Sequence, residues 1–363
     1  MLTGITAIAQ LVFTIIVGMY FFGKLRSEGI SGNANSEDAR KKAQKLNAMR
    51  KISLSVPLSE KARPKKMEEI IGQEDGIKAL KAALCGKNPQ HVIIYGPPGV
   101  GKTAAARIAL EEAKKSEGTP FMKNARFIEA DATIMRYDER SIADPLIGSV
   151  HDPIYQGAGA YGNAGVPEPK EGAVSRAHGG VLFIDEIGEL QTMQMNRLLK
   201  VLEDRKVIFE SAYYSSSNKN IPTYIHDIFK NGLPADFRLI GATTRKPEEI
   251  PEAIRSRCVE IFFNELTFNN ITEILRNAVD KLGIKADEGV VENIAQYSKS
   301  GRDAVKILQT VVNTVILEGR DCAEISDVEW VVKCCRYEKV RRSYTERDEQ
   351  IIDISVLKPN GQI

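Results

Sequence analysis

The sequence predicts an α/β fold, a five-stranded parallel sheet between helices, with an all-α four-helix lid behind it and an N-terminal transmembrane helix in front. Three observations predict it. Five short stretches, mostly apolar and β-branched, are spaced by segments long enough for crossover helices. A glycine-rich loop, Gly96-Pro97-Pro98-Gly99-Val100-Gly101-Lys102-Thr103, sits between the first of them and a helix. Beyond Leu266 the apolar spacing becomes helical only.

Composition sets the bounds. The 363 residues are 43% hydrophobic and 27% charged, an ordinary globular mix with room for more than one core. A net charge of +2 gives no global case for a nucleic-acid partner. The five cysteines, Cys85, Cys258, Cys322, Cys334 and Cys335, lack zinc-type spacing and read as reduced thiols.

From Leu2 to Gly23 there is no charge, and a helix over this stretch would be about 33 Å long, against a hydrocarbon core of about 30 Å. A cleaved signal peptide and an oligomer-packing helix are the competing readings, but the basic n-region and small-residue cleavage site of a leader are missing. Lys24 and Arg26 follow at once, so the expectation is a single-pass anchor in the cell membrane with the rest in the cytoplasm. Between Lys24 and Lys66 stand 12 basic and 4 acidic residues, read as a solvated basic linker near anionic lipid with a short charged helix opening at Ser36. The expected divisions are 1–23 anchor, 24–62 linker, 63–264 α/β domain, 265–342 helical lid and 343–363 tail, the start of a further domain.

The loop after His91–Tyr95 has a mechanical reading. Its glycines let backbone N–H groups curl around phosphate oxygens, Lys102 reaches the outer phosphates, and the Thr103 hydroxyl binds Mg²⁺. The helix from Ala104 to Lys115 turns its N-terminus to the anion. Further strands are expected at Arg126–Glu129, Val181–Ile184, Arg238–Ala242 and Val259–Phe263. The third ends in Asp185-Glu186, which places both carboxylates at the carboxyl edge of the sheet, where such folds bind ligands. Asp185 suits the Mg²⁺ shell, and Glu186 suits polarisation of an attacking water.

With Gly241-Ala242-Thr243-Thr244 and Arg255-Ser256-Arg257-Cys258, these motifs resemble an AAA+ P-loop NTPase. The resemblance implies ATP and Mg²⁺ as cofactors and a nucleotide site of Gly96, Pro97, Pro98, Gly99, Val100, Gly101, Lys102, Thr103, Ala104, Ile71 and Asp185. It implies a γ-phosphate sensor at Thr244, with Thr243 the alternative. It implies an arginine finger, supplied to a neighbouring subunit, at Arg257 or Arg255. A second sensor falls at Arg302, in the Gly301-Arg302-Asp303 that opens the third lid helix. Such chemistry requires a homo-oligomeric ring, expected to be a hexamer.

Within the superfamily the chain resembles the ATPase part of membrane-anchored B-type Lon, on its uncharged N-terminal stretch, its basic linker, Asp152-Pro153-Ile154-Tyr155-Gln156, and Gly179 to Leu190. That group continues into a Ser-Lys protease domain. The roughly 20 residues after Arg342 are fewer than the 50 or so of a small domain, so the expectation is a motor without its peptidase, acting on protein substrates, with cleavage supplied by a separate partner, absent, or lost because the chain is truncated. By the same resemblance the glycine-rich stretch with Tyr155 and Tyr161 is expected to face a central pore, and Ser211 to Ser217, after a strand at Val207–Glu210, is the second candidate; loops that pack locally or only form subunit contacts are the alternative for both. Transcription activators that remodel alternative-sigma-factor polymerase, and DNA-remodelling motors, are the rival readings.

Overall fold

The computed structural model describes residues 14–15, 17–20, 40–52, 56–135, 144–151, 166–212, 214–218 and 221–340. By internal contacts the chain forms two units, Met1–Pro57 and Leu58–Ile363. In the first, residues 40–51 are helical, as are 14–15 and 17–20. Among the described residues no helix is long and apolar enough to cross a membrane. The expected single-pass membrane localisation is therefore corrected: crossing a hydrocarbon core of about 30 Å takes about 20 apolar helical residues, and no described helix meets that. The rest of the Leu2–Gly23 stretch lies outside the described residues, as does the tail from residue 343.

The second unit is built on five parallel strands: β1 (His91–Tyr95), β2 (Phe127–Asp131), β3 (Val181–Asp185), β4 (Arg238–Thr243) and β5 (Cys258–Phe262). Their order across the sheet is β2-β3-β4-β1-β5. β4 therefore lies between β1 and β3, and its end separates the ends of the strands carrying the glycine-rich loop and Asp185. The five strands expected for this sheet are present, β1 with the expected ends and the others with one or both ends shifted by one or two residues.

Strand alternation divides the interior into two layers. Val92 and Ile94 of β1, Val181 and Phe183 of β3, and Ile240 and Ala242 of β4 join one core with helices α1 (Glu74–Leu84) and α2 (Lys102–Ala113). Ile93 and Tyr95, Leu182 and Ile184, and Leu239 join the other, with Met195, Leu198 and Val201 of α3 (Thr192–Asp204). A sheet buried on both faces explains why these strands read as continuous apolar runs. Helix α1 buries Gly76, Ile77, Leu80, Ala83 and Leu84, one stripe at helical spacing.

Gly180, just before β3, has no room for a side chain: a Cβ there would lie 2.2 Å from the Arg126 carbonyl oxygen. Gly180→Ala is expected to cost about 2 kcal/mol by overpacking, read as a Tm several degrees lower in a thermal melt.

The long stretch from Pro145 to Gly180 has more order at its base than its composition suggests. Gly148–His151 and Glu168–Glu171 pair antiparallel, and Ala173–Arg176 forms a helical turn. Tyr155 and Tyr161 lie outside the described residues. The strand expected at Val207–Glu210 is confined to Lys206–Val207, which pairs antiparallel with Leu233–Pro234. Helix α4 (Thr223–Asn231) occupies the intervening chain. Tyr214 stacks on Phe229 of that helix, with ring centroids 4.2 Å apart, and its hydroxyl meets His226 Nδ1 at 2.9 Å. The Tyr214 ring is thus held locally against α4.

Four helices follow: α5 (Phe268–Leu282), α6 (Val290–Tyr297), α7 (Gly301–Leu317) and α8 (Ile325–Cys335). Thr267 caps α5 by accepting from the Asn270 N–H, and Ser300 caps α7 by accepting from the Asp303 N–H. Their apolar faces join the same core as α1 and α2. The chain entering the unit is fastened here too: the Leu58 N–H donates to Gln309 Oε1 of α7, and Lys281 of α5 bonds the Arg63 carbonyl and Glu69.

Candidate active site

The loop after β1 has the backbone its glycines foretell. Gly96, Gly99 and Gly101 have φ of 152°, 76° and 101°, in the region that side chains rarely adopt. A Cβ on Gly96 would stand 2.6 Å from the Phe263 carbonyl oxygen, and one on Gly99 would stand 2.8 Å from Ser300 Oγ. Gly101 is the N-cap of α2 and no side chain caps that helix, so its first N–H groups face the cradle without a side-chain partner. These features fit a phosphate. The buried Lys102 ammonium bonds the Gly96 carbonyl and, at 3.0 Å, that of Pro97, both within the loop that it would serve. Val100 is buried beneath the loop, while Pro97, Thr103 and Ala104 are half-buried and Pro98 is exposed at its rim. Ile71 is buried, but it is its neighbour Ile70 that a Cβ on Gly101 would approach, at 3.2 Å from Cγ2.

Asp185 closes β3 and pairs in register with Asp131 of β2. Burial raises the Asp185 pKa, and the neighbouring Glu186 carboxylate adds to the rise. Burial likewise lowers that of Lys102; Glu186 and Asp185 oppose the shift, and Arg302 reinforces it. The four charges therefore act on one another across the carboxyl edge.

Glu186 takes a left-handed conformation, with φ of 49°. Its Oε2 accepts two hydrogen bonds from Thr244, one from the backbone N–H at 3.0 Å and one from the hydroxyl at 3.1 Å. Thr243 is fully buried, and its Oγ1 accepts the Arg245 N–H at 3.1 Å. Of the two threonines only Thr244 presents its hydroxyl to the carboxylate. Thr244→Val is expected to remove one of the two bonds holding Glu186 and to lower kcat about tenfold, with ATP binding retained; steady-state ATPase and nucleotide-binding assays check it.

Arg302 opens α7 against the loop. Its Cβ would be 3.4 Å from a Cβ on Gly99, and Gly301 would approach the Gly99 carbonyl equally closely. The lid helix therefore rests on the phosphate cradle through Ser300, Gly301 and Arg302.

Arg255 and Arg257 are placed elsewhere. β5 runs parallel to β1 from His91↔Cys258 to Tyr95↔Phe262, so Arg257 precedes the amino end of β5, whereas Gly96 leaves the carboxyl end of β1. Five strand residues separate those levels by about 17 Å, beyond an arginine's reach. Arg257 is paired with Glu203 and donates to the Ala253 carbonyl at 2.6 Å. Arg255 holds Glu260 with two bonds, 2.6 and 3.3 Å, and Tyr95 donates its hydroxyl to the same carboxylate at 2.8 Å. Sequence reasoning missed Tyr95 and Glu260. The available signal was a lone Glu two residues before an aromatic in β5, on the face that the β1 tyrosine shares.

Comparison with known proteins agrees with this geometry. The family model described as "Magnesium chelatase, subunit ChlI" matches residues 66–221. Lon protease 2 of Bacillus subtilis is 59% identical over 330 residues, covering 91% of the chain and 60% of that protein. DNA polymerase III subunit tau of the same organism is 28% identical over 259 residues, 69% of the chain and 38% of that protein. The chain thus spans about 60% of the length of the Lon protease it matches, and less of the polymerase subunit. Among solved structures, the Thermotoga maritima RuvB Holliday junction branch migration motor superposes with a TM-score of 0.52 at 22% identity, covering 81% of this chain and 78% of that one. That likeness is one of fold. Over 91% of its length the chain is similar to the corresponding part of a Lon protease, and the phosphate cradle and paired carboxylates resemble those of an AAA+ ATPase.

Proposed function

We propose that the chain is the ATPase motor of a Lon-type system, assembling as a ring of six and coupling ATP hydrolysis to the unfolding and threading of protein substrates. The observation that carries the ring is the placement of Arg255 and Arg257 at the amino edge of β5, out of reach of their own phosphate loop. An arginine from a second subunit would complete each pocket.

In this reading the loop from Gly96 to Thr103 binds the phosphates through its N–H groups, and Lys102 exchanges its bonds to the Gly96 and Pro97 carbonyls for the outer phosphate oxygens. Thr103 and Asp185 would hold Mg²⁺, which when bound neutralises charge on the β- and γ-oxygens. Glu186 takes a proton from the attacking water. Thr244 orients that carboxylate, and Arg302 carries the nucleotide state into the lid. Arg257 stabilises charge on the phosphoryl group of the adjacent subunit.

The test is loss of fluorescence from a folded, tagged reporter in the presence of ATP, with gel analysis for fragments. Unfolding that depends on ATP, without fragments, is the expected result for this chain. ATP hydrolysis with no effect on any tagged reporter would overturn the protein-threading reading, and fragments would show a peptidase within the chain.

A further inference from the structure

Arg255 and Arg257 stand two residues apart, yet their surroundings differ. Arg257 pairs with Glu203, a carboxylate 55% exposed, so releasing it to an incoming phosphate costs little. Arg255 holds the half-buried Glu260 with two donors. The same carboxylate takes the hydroxyl of the buried Tyr95. Withdrawing Arg255 would take two donors from the Glu260 carboxylate and leave it the Tyr95 hydroxyl, and a half-buried carboxylate that loses its counter-ion is costly.

Tyr95 is the residue from which the phosphate loop springs. Its carbonyl accepts the Phe263 N–H at 2.8 Å, its ring stacks on Phe262 with centroids 5.1 Å apart, and the next N–H, that of Gly96, donates to the Thr243 carbonyl at 3.2 Å. Gly96 lies so close to the Phe263 carbonyl that the root of the loop has no slack. A shift of Tyr95 that reaches its backbone is therefore passed to the first residue of the cradle. At the other end, the one-turn helix Glu252–Arg255 carries Arg255 and leads directly into Arg257, and its Ile254 lies in the same core as Tyr95.

We infer that Arg255 is a positioning residue: through Glu260 and the Tyr95 hydroxyl it ties the turn bearing Arg257 to the strand end that holds the phosphate loop of its own subunit. The tie rests on the ring reading for its purpose, since the turn that meets one pocket is joined to the root of another. Its existence does not depend on that reading. Burial and the bond to Glu260 both favour the protonated, donating form of Tyr95, and the Arg255 and Tyr95 hydrogen bonds favour ionised Glu260, so the relay is complete at neutral pH.

The experiment is steady-state ATPase kinetics on the full chain with Tyr95→Phe, Arg255→Ala, the double variant and Glu260→Gln, each first checked by thermal melting. Tyr95→Phe keeps the stacked ring, so it remains informative if Arg255→Ala melts early. The expected result is a KM for ATP raised about fivefold in each single variant, with kcat lowered less than twofold. The double variant should be no worse than the poorer single one, the mark of residues acting through one another. A large kcat loss in Arg255→Ala at unchanged KM would overturn the inference and make Arg255 a finger; so would multiplicative KM effects in the double variant, or no KM change in Tyr95→Phe. Failure of the ring reading shows separately, as full activity in Arg257→Ala.

Discussion

Glu186→Gln is expected to bind ATP normally and hydrolyse it about 10²–10⁴-fold more slowly, the range for loss of a general base. The amide keeps the shape of the carboxylate, and its carbonyl oxygen still accepts from the Thr244 N–H and hydroxyl, so the geometry at the edge survives. What is lost is the ability to take a proton. Single-turnover hydrolysis and equilibrium binding of a fluorescent nucleotide separate the two effects. Turnover within tenfold of the parent chain would remove Glu186 from the mechanism. Weakened binding with normal turnover at saturation would instead assign Glu186 to holding the nucleotide.

Arg257→Ala is expected to lower kcat about 10³-fold, at the low end for a finger that stabilises the transferring phosphoryl group. The Glu203 pairing that holds Arg257 is peripheral, so stability should change little. Mixing this variant in equal amount with Lys102→Ala provides the decisive measurement. Each interface of a head-to-tail ring needs one intact pocket and one intact finger. With random mixing about one interface in four has both, and activity should return toward about a quarter of the parent rate. A mixture as inactive as its components would mean that Arg257 does not act across subunits.

Much of the site was legible because its parts sit at fixed distances along the chain. A glycine-rich loop must follow a strand and open a helix, and an acidic pair must end a strand, so Gly96 to Thr103 and Asp185-Glu186 could be located before any coordinates. The choice between Thr243 and Thr244 could not be read, because both end one strand. In the structure Thr243 is buried, whereas Thr244, just past the strand end, bonds Glu186. Arg255 and Arg257 were indistinguishable for a similar reason: what separates them is a carboxylate five residues after Arg255 and a tyrosine 160 residues before it, brought together only by the pairing of β1 with β5. The membrane expectation rested on the uncharged stretch, the missing leader features and the flanking Lys24 and Arg26, and the described helices do not support it. The strand expected at Val207–Glu210 failed on tertiary context. Its apolar residues suited a strand, but the partner segment, which follows the end of α4, pairs through two residues, Leu233 and Pro234.

The apolar core that runs from β1 and α2 through α1 into α5, α6, α7 and α8 has a thermodynamic consequence. Ile94, Leu110, Leu84, Leu275, Ile294, Leu308 and Val331 belong to one continuous cluster. Two parts that share a core lose it together, so heat or denaturant should unfold both in a single transition. Calorimetry of the chain should give one peak for the region from Leu58 onward. A chain cut before Phe268 would then be aggregation-prone, because the cut bares the lid-facing side of α1 and α2 to water.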